Sequence, residues 1–105
     1  MPPTTDTTVE RQDGKTSGRY VIPLANGFEA EMTYQKPRAG VIAIDHTFVP
    51  PEFRGKGLAD TLVAAAIADA RSEPFKIVPL CSYVALQFRR HKDWADLLAV
   101  SAIAD

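Results

Sequence analysis

The residues best suited to chemistry lie in a glycine-rich stretch, Arg54-Gly55-Lys56-Gly57-Leu58-Ala59, between an apolar strand-like run and an apolar-periodic helix. The start of a helix leaves backbone N–H groups without partners and carries the positive end of the helix dipole, so it attracts anions. Gly55 and Gly57 let the chain turn and let a ligand approach, while Arg54 and Lys56 add positive charge. The stretch therefore predicts a phosphate-binding loop.

Three further residues could act on a substrate. Cys81 follows a short apolar run and precedes a predicted helix, whose start favours the reactive thiolate form; the alternative is a small buried hydrophobic side chain. His46 could be a base, but its alternation with Ile44 and Phe48 favours a core or edge position unless a bulge changes its facing. Glu52 could take a proton from an amine, or it could lie in a plain exposed turn.

Two common nucleotide-binding motifs do not fit the loop. A P-loop requires lysine and then serine or threonine after its last glycine, but Leu58 follows Gly57; a dinucleotide fingerprint requires a third glycine where Asp60 stands. The stretch instead has the pattern R-x-x-G-x-A, formed by Arg54, Gly57 and Ala59. This pattern resembles the pyrophosphate-binding loop of the GNAT superfamily of N-acetyltransferases, which hold the diphosphate of acetyl-CoA there.

The composition limits the class of protein. With 105 residues, 46% apolar and 24% charged, the chain is typical of one globular domain. A net charge of −1 and a pI near 6.1 give no basic excess, which disfavours a nucleic-acid binder. One cysteine cannot form an internal disulfide, and neither a signal peptide nor a membrane-spanning apolar run is seen. We expect a cytoplasmic protein with a flexible segment at residues 1–7 and a single domain at residues 8–105.

The chain before the loop is predicted to form antiparallel strands. Strand-like patterns occupy residues 8–11, 19–24, 28–35 and 41–44, and turns are predicted at residues 13–15 and 37–40. Pro23 implies that the second strand lies at an edge or ends early, and Asn26-Gly27 predicts a type I′ hairpin turn. The third strand alternates apolar and polar residues, as a half-buried strand does. The fourth is apolar throughout, which predicts the central strand, buried on both faces.

The chain after the loop is predicted to be mainly helical. Helical periodicity runs from Leu58 to about Ser72, and a short strand at residues 75–79 follows. A helical crossover of this kind makes that strand parallel to the one before the loop. A second helix is predicted at residues 82–90, and a third from an N-cap at Asp93 to about Ile103.

This order of elements resembles a shortened GNAT core, an α/β (α+β) fold with antiparallel strands, a parallel strand pair and helices packed on the sheet. The similarity covers roughly residues 34–98. The segments at residues 45–51 and 79–84 resemble the small single-domain GNAT-like proteins, which carry a cysteine after their last strand. Larger GNAT enzymes have extra elements that shape the acceptor pocket, so here the acceptor side is expected to be open or completed by a partner.

The resemblance implies an acetyl-CoA-dependent N-acetyltransferase that acts on a small-molecule or peptide amine. Ligands of open α/β sheets bind beyond the carboxyl ends of the parallel strands, where the loop and Cys81 should meet. The catalytic candidates are Cys81, His46 and Glu52, and no spacing typical of metal ligands is present. The cofactor-binding candidates are Phe48, Val49, Arg54, Gly55, Lys56, Gly57, Leu58, Ala59, Ser82 and Tyr83.

One position departs from the superfamily pattern. Many GNAT enzymes have N-x-x-A-x-x-[FL]-Y after the last core strand, and the tyrosine protonates the departing CoA thiolate. Aligned on Phe88, this chain has Ser82 for the asparagine and Arg89 for the tyrosine. Cys81 or Tyr83 then supplies the proton, Cys81 accepts the acetyl group first, or no reaction occurs. The alternative function is a non-catalytic CoA-binding or protein-interaction module on the same fold.

Overall fold

The computed structural model describes residues 8–99. Five strands form one sheet in the order β1-β2-β3-β4-β5. They are β1 (Glu10–Asp13), β2 (Ser17–Pro23), β3 (Glu29–Arg38), β4 (Val41–Phe48) and β5 (Lys76–Pro79). Neighbouring strands from β1 to β4 are antiparallel, whereas β4 and β5 are parallel. This mixed sheet, with the helices described next, confirms the predicted fold class.

The first two predicted helices are confirmed, whereas the third is not. α1 (Leu58–Ser72) connects β4 to β5, and α2 (Ser82–Arg90) follows β5. The predicted third helix is wrong, because Lys92–Leu97 forms a 3₁₀ helix that encloses Asp93 and has no side-chain cap. Leu98 then forms a parallel β-bridge with Ile77 of β5, and a continuing α-helix could not form that bridge. The rest of that predicted helix and the predicted flexible segment at residues 1–7 lie outside the described residues.

Several strand boundaries differ from the prediction. β1 includes Asp13, so the turn starts after this residue. The Asp13 carboxylate accepts hydrogen bonds from Lys36 (2.6 Å) and Tyr34 of β3, which hold Asp13 in the sheet. β2 ends at Pro23 as predicted, but it lies between β1 and β3 and not at an edge. β3 continues to Arg38, and it takes the middle position that was predicted for β4.

The hairpin between β2 and β3 confirms the predicted turn. Asn26 and Gly27 have φ angles of 61° and 80°, and the Phe28 N–H donates to the Ala25 carbonyl (3.3 Å). Positive φ at both central residues with this hydrogen bond defines a type I′ turn. Phe28 itself is 39% exposed, so it does not join the buried face of β3 as predicted.

The core forms where α1 and α2 cover the sheet. In β3, Ala30, Met32 and Tyr34 are fully buried, which confirms the predicted alternation, and in β4 residues 41–44 are all buried, as predicted. The largest fully buried side chains are Tyr20, Tyr34, Ile22, Met32, Ile44, Leu62, Ile77, Val21, Val63 and Val84. Because these residues come from β2 to β5 and from both helices, the core fixes the ends of β4 and β5 relative to the starts of α1 and α2.

Candidate active site

The predicted phosphate-binding loop turns the chain from β4 into α1. A single 3₁₀ turn at Pro51–Phe53 follows β4, and Gly55 and Gly57 then adopt φ angles of 82° and 76°. Gly57 caps α1 without a side chain, and it is the Thr61 N–H that donates to the Gly57 carbonyl (3.1 Å). The N–H groups of residues 58–60 therefore have no acceptor within the helix, which is the arrangement that binds an anion.

Space and charge around the loop also suit an anion. A Cβ atom added to Gly55 or Gly57 would have no heavy atom within 4 Å, so ligand atoms can approach the backbone there. Arg54 and Lys56 are exposed, and Arg54 Nε donates a hydrogen bond to the Val49 carbonyl (2.9 Å). Arg54 thereby holds the loop against the end of β4 while bringing positive charge next to it.

A cleft opens where β4 and β5 separate. Their ladder ends at the pair Ile44 and Pro79, and the Ile44 carbonyl accepts hydrogen bonds from the N–H groups of Leu80 and Cys81 (2.9 Å each). β4 continues to Phe48, and over this last part it pairs, among the described residues, with β3 alone. The β5 side of β4 is therefore an open edge beyond Ile44, next to the loop.

A β-bulge interrupts the pairing of β4 with β3 beside this edge. Thr33 pairs with His46, whereas Tyr34 pairs with Ile44, so Asp45 is an extra residue in β4. The Asp45 carboxylate accepts hydrogen bonds from the Thr33 hydroxyl (2.6 Å) and from Gln35 Nε2 (3.2 Å), so the extra residue has two side-chain partners on β3. An extra residue reverses the alternation of the side chains that follow it.

The bulge decides which face the last side chains of β4 take. His46 is exposed and shares the polar face of the sheet with its partner Thr33. The core position that unbroken alternation favoured for His46 is therefore wrong, and the bulge that was expected to change its facing is present. Thr47 pairs with the fully buried Met32 and so takes the core face instead. Phe48 returns to the polar face, where it is 41% exposed. Unbroken alternation predicted the opposite facing for all of these positions, and a bulge leaves no clear mark in a single sequence.

Cys81 lies at the junction of β5 and α2, where it caps the helix. Its carbonyl accepts the first helical hydrogen bond, from the Ala85 N–H (2.9 Å), as expected for a residue just ahead of a helix. The side chain is half-buried, and Sγ lies 3.5 Å from Oγ1 of Thr47, within hydrogen-bonding distance for sulfur. A thiol near both a helix start and the open edge of β4 can act as nucleophile or proton donor toward a group in the cleft. Its catalytic role stays a prediction.

Tyr83 connects the starts of the two helices. Its hydroxyl donates a hydrogen bond to the carboxylate of Asp60. Asp60 lies in the first turn of α1 and Tyr83 in the first turn of α2, so the bond ties α2 to the start of α1. Sequence reasoning gave Asp60 no role, although an acidic residue in the first turn of a helix is a usual signal of an electrostatic contribution there.

The other predicted site residues make simpler contributions. Glu52 in the 3₁₀ turn and Ser82 at the start of α2 are both exposed, whereas Leu58 is buried and offers the loop only its backbone. Arg89, which stands at the tyrosine position of the superfamily pattern, is exposed, while the neighbouring Phe88 is buried. The catalytic and cofactor-binding roles of these residues stay predictions.

An open groove of about 480 Å³ lies beside Phe48 on the polar face of the sheet. Its lining includes Arg19, Phe28, Glu29, Glu31, Phe48 and Pro50. Arg19 bridges the carboxylates of Glu29 (3.0 Å) and Glu31 (2.8 Å). The groove therefore combines exposed aromatic rings with a charged floor, and it borders the loop on the face that also exposes His46.

Neither a metal-binding cluster nor a membrane-spanning helix occurs within residues 8–99. No group of three or more side chains of the metal-binding types in that range could hold an ion. His91 instead stacks on Trp94, with ring centroids 4.0 Å apart. None of the helices in those residues has the length and apolar character needed to cross a membrane.

Two comparisons with known proteins cover this site. A family model described as GCN5-related N-acetyl-transferase matches residues 19–97. The solution NMR structure of a GCN5-like candidate N-acetyltransferase from Staphylococcus aureus aligns with a TM-score of 0.67 and 26% sequence identity, over 90% of each chain. The range matched by the family model includes the loop, the bulge and Cys81.

Proposed function

Because this chain belongs to the GCN5-related N-acetyltransferase family, we propose that it binds acetyl-CoA and transfers the acetyl group to an amine. The observation that carries the proposal is the uncapped start of α1 behind two glycines with positive φ angles. The two glycines leave open space where side chains would stand, and the exposed Arg54 and Lys56 flank Gly55. The diphosphate of acetyl-CoA has the charge and size that such a helix start binds.

The open edge of β4 supports a path for the pantetheine arm. The backbone beyond Ile44 lacks a strand partner on the β5 side within the described residues, so an extended arm could bond to it as an added strand would. With the diphosphate at residues 58–60, the arm would run along the backbone of Phe48 and Val49. The thioester would then lie near Cys81.

On the polar face of the sheet, the acceptor could enter by a route separate from that of the cofactor. The bulge exposes His46 on this face, and the groove beside Phe48 leads to the same end of β4. A small-molecule or peptide amine in the groove could therefore reach the cleft without displacing the cofactor. His46 is the base we propose for removing the amine proton, and Glu52, exposed in the neighbouring turn, is the second candidate.

Cys81 supports two routes for the transfer. In the covalent route, Sγ of Cys81 as thiolate attacks the thioester carbonyl, the bond to the CoA sulfur breaks, and the CoA thiolate leaves; the amine then takes the acetyl group from Cys81. In the direct route, the amine attacks the thioester and Cys81 gives its proton to the departing CoA thiolate. Tyr83 is the weaker candidate for that proton, because its hydroxyl is engaged by Asp60.

The proposal is tested by measuring binding and turnover together. The full chain is titrated with acetyl-CoA in a calorimeter, and release of the free CoA thiol is followed with a panel of polyamines, peptide amines and small metabolite amines. Release above the amine-free rate supports the enzyme. Tight binding without release supports the non-catalytic CoA-binding module, which Arg89 at the tyrosine position favours. Absence of binding contradicts both.

A further inference from the structure

We propose that Thr47 is a positioning residue for Cys81. Its hydroxyl holds Sγ at the open edge of β4 and donates a hydrogen bond to the sulfur when the thiol is ionised. The proposal rests on the proposed function for the place of the thioester, but the contact between the two side chains stands on the geometry alone, with Sγ 3.5 Å from Oγ1.

The bulge brings the Thr47 hydroxyl to this place. Without Asp45 as an extra residue, unbroken alternation would direct Thr47 to the polar face of the sheet and His46 to the core face. Pairing of β4 with β3 on both sides of Asp45 fixes the bulge, so the fold itself fixes the facing of Thr47. His46 is directed to the opposite face and is not the partner of Cys81.

The cysteine is held from its backbone as well. The Cys81 N–H donates to the Ile44 carbonyl on β4 (2.9 Å), so its Cα has a fixed position relative to that strand. What remains free is rotation of Sγ about a single bond. A contact with a β-branched threonine, whose own rotamer is restricted, selects one orientation of the sulfur. Thr47 therefore acts on the direction of Sγ and on its solvation.

The environment of this hydrogen bond increases its contribution to the stability of the thiolate. Thr47 and Cys81 are both half-buried, and Sγ as a thiol donates to Oγ1 (3.5 Å), whereas as a thiolate it would accept from the hydroxyl. Partial burial makes such a bond stronger than the same bond in bulk water. A hydrogen bond to an ionised partner contributes more than one between neutral groups. A thiolate at this position would thus lose stabilisation, and the thiol would lose reactivity, if the hydroxyl were removed.

The test uses alkylation of the intact chain by iodoacetamide across pH, which reports on Cys81 alone because the chain has one cysteine. Thr47→Val keeps the shape and removes the hydroxyl; we expect alkylation at neutral pH to slow by about tenfold and the half-maximal rate to move to higher pH. Thr47→Ser should restore both. The titratable groups nearby (Asp60, Tyr83, Asp45 and His46) are the same in these variants, so a shift reports on residue 47.

Thr33→Val is the matched control. It also replaces a threonine hydroxyl at the bulge, but on β3 and bonded to Asp45, so alkylation should stay within about twofold of the native rate. Equal alkylation rates and pH profiles for Thr47→Val and the native chain would overturn the proposal. It would also be overturned if Thr33→Val slowed alkylation as much as Thr47→Val, or if Thr47→Ser did not restore the native rate. Should Thr47→Val fail to fold by circular dichroism, Thr47→Ala compared with Thr47→Ser makes the same distinction.

Binding and turnover separate this proposal from the proposed function. Acetyl-CoA affinity should be unchanged in Thr47→Val, and where an acceptor is found kcat should fall while KM is kept. If the native chain does not bind acetyl-CoA, the proposed function fails while the alkylation series still tests the contact. If acetyl-CoA binds and turns over but alkylation is insensitive to residue 47, the function stands and the positioning role is wrong.

Discussion

Replacing Gly57 with valine tests the anion-binding loop most directly. The φ angle of Gly57 is 76°, and a side chain there would enter the open space next to the N–H groups of residues 58–60. The added side chain would meet no more distant part of the protein, since no heavy atom beyond Gly57 and its chain neighbours lies within 4 Å of the place that Cβ would take. Its methyl groups would instead occupy the volume that a diphosphate needs. We therefore expect Gly57→Val to weaken acetyl-CoA binding in a protein that still folds.

The expected size of this loss follows from the hydrogen bonds at stake. A hydrogen bond to a charged group contributes about 1.5–3 kcal/mol. Loss of one such bond between the loop and the diphosphate would lower affinity by about tenfold or more, because about 1.4 kcal/mol corresponds to a factor of ten. A non-glycine residue at positive φ also costs about 1–3 kcal/mol of stability, which must be measured separately.

Gly40→Val supplies the matched control. Gly40 lies in the turn between β3 and β4, has the same φ angle of 76°, and likewise has no atom within 4 Å of an added Cβ. Both variants should lose similar stability in thermal unfolding, whereas calorimetry should show weaker acetyl-CoA binding only for Gly57→Val. Unchanged affinity in a folded Gly57→Val protein would refute the loop assignment, as would an equal loss in Gly40→Val.

Three more predictions concern other parts of the molecule. Cys81→Ala should abolish thiol release with amines if the route is covalent and lower it in a pH-dependent way if Cys81 is the proton donor, while acetyl-CoA affinity, measured by calorimetry, stays unchanged; full activity would make Cys81 a packing residue. Asp60→Asn removes a negative charge from the anion-binding turn, so acetyl-CoA affinity should rise by about two- to fivefold at low salt and less at high salt; a lower affinity contradicts this. Hydrogen bonds from Lys36 and Tyr34 hold the pKa of Asp13 below its ordinary value of 3.8. The unfolded state therefore takes up that proton at higher pH than the folded state, and the free energy of unfolding should fall as pH drops below about 4. Urea denaturation should show a weaker acid dependence for Asp13→Asn than for the native chain.

The loop and α1 could be predicted from the sequence because their signals are local. Glycines at the start of an apolar-periodic segment determine both the turn and the first residue of the helix, and α1 begins at Leu58 and ends at Ser72 as predicted. The place of Cys81 between β5 and α2 follows from equally local patterns. The parallel pairing of β5 followed from the helical crossover, which constrains topology without any knowledge of side-chain contacts.

The errors arise where pairing between strands overrides local pattern. Asp45 forms a bulge because β3 and β4 pair in register on both sides of it, and no property of Asp45 alone required this. Unbroken alternation therefore gave the wrong facing for His46 and did not place Thr47 beside Cys81. Similarly, Asp93 has the chemistry of an N-cap, but burial of Leu97 and pairing of Leu98 beside β5 favour a short 3₁₀ helix instead.

The hydrogen bond from Arg54 to the Val49 carbonyl has a thermodynamic consequence for binding. It closes a short ring of chain that contains Pro50 and Pro51, whose φ angles are already restricted. Most of the conformational entropy of this segment is therefore lost when the protein folds, before any anion arrives. An anion that binds here would meet a preorganised loop, so little of the binding free energy would be lost in ordering the backbone.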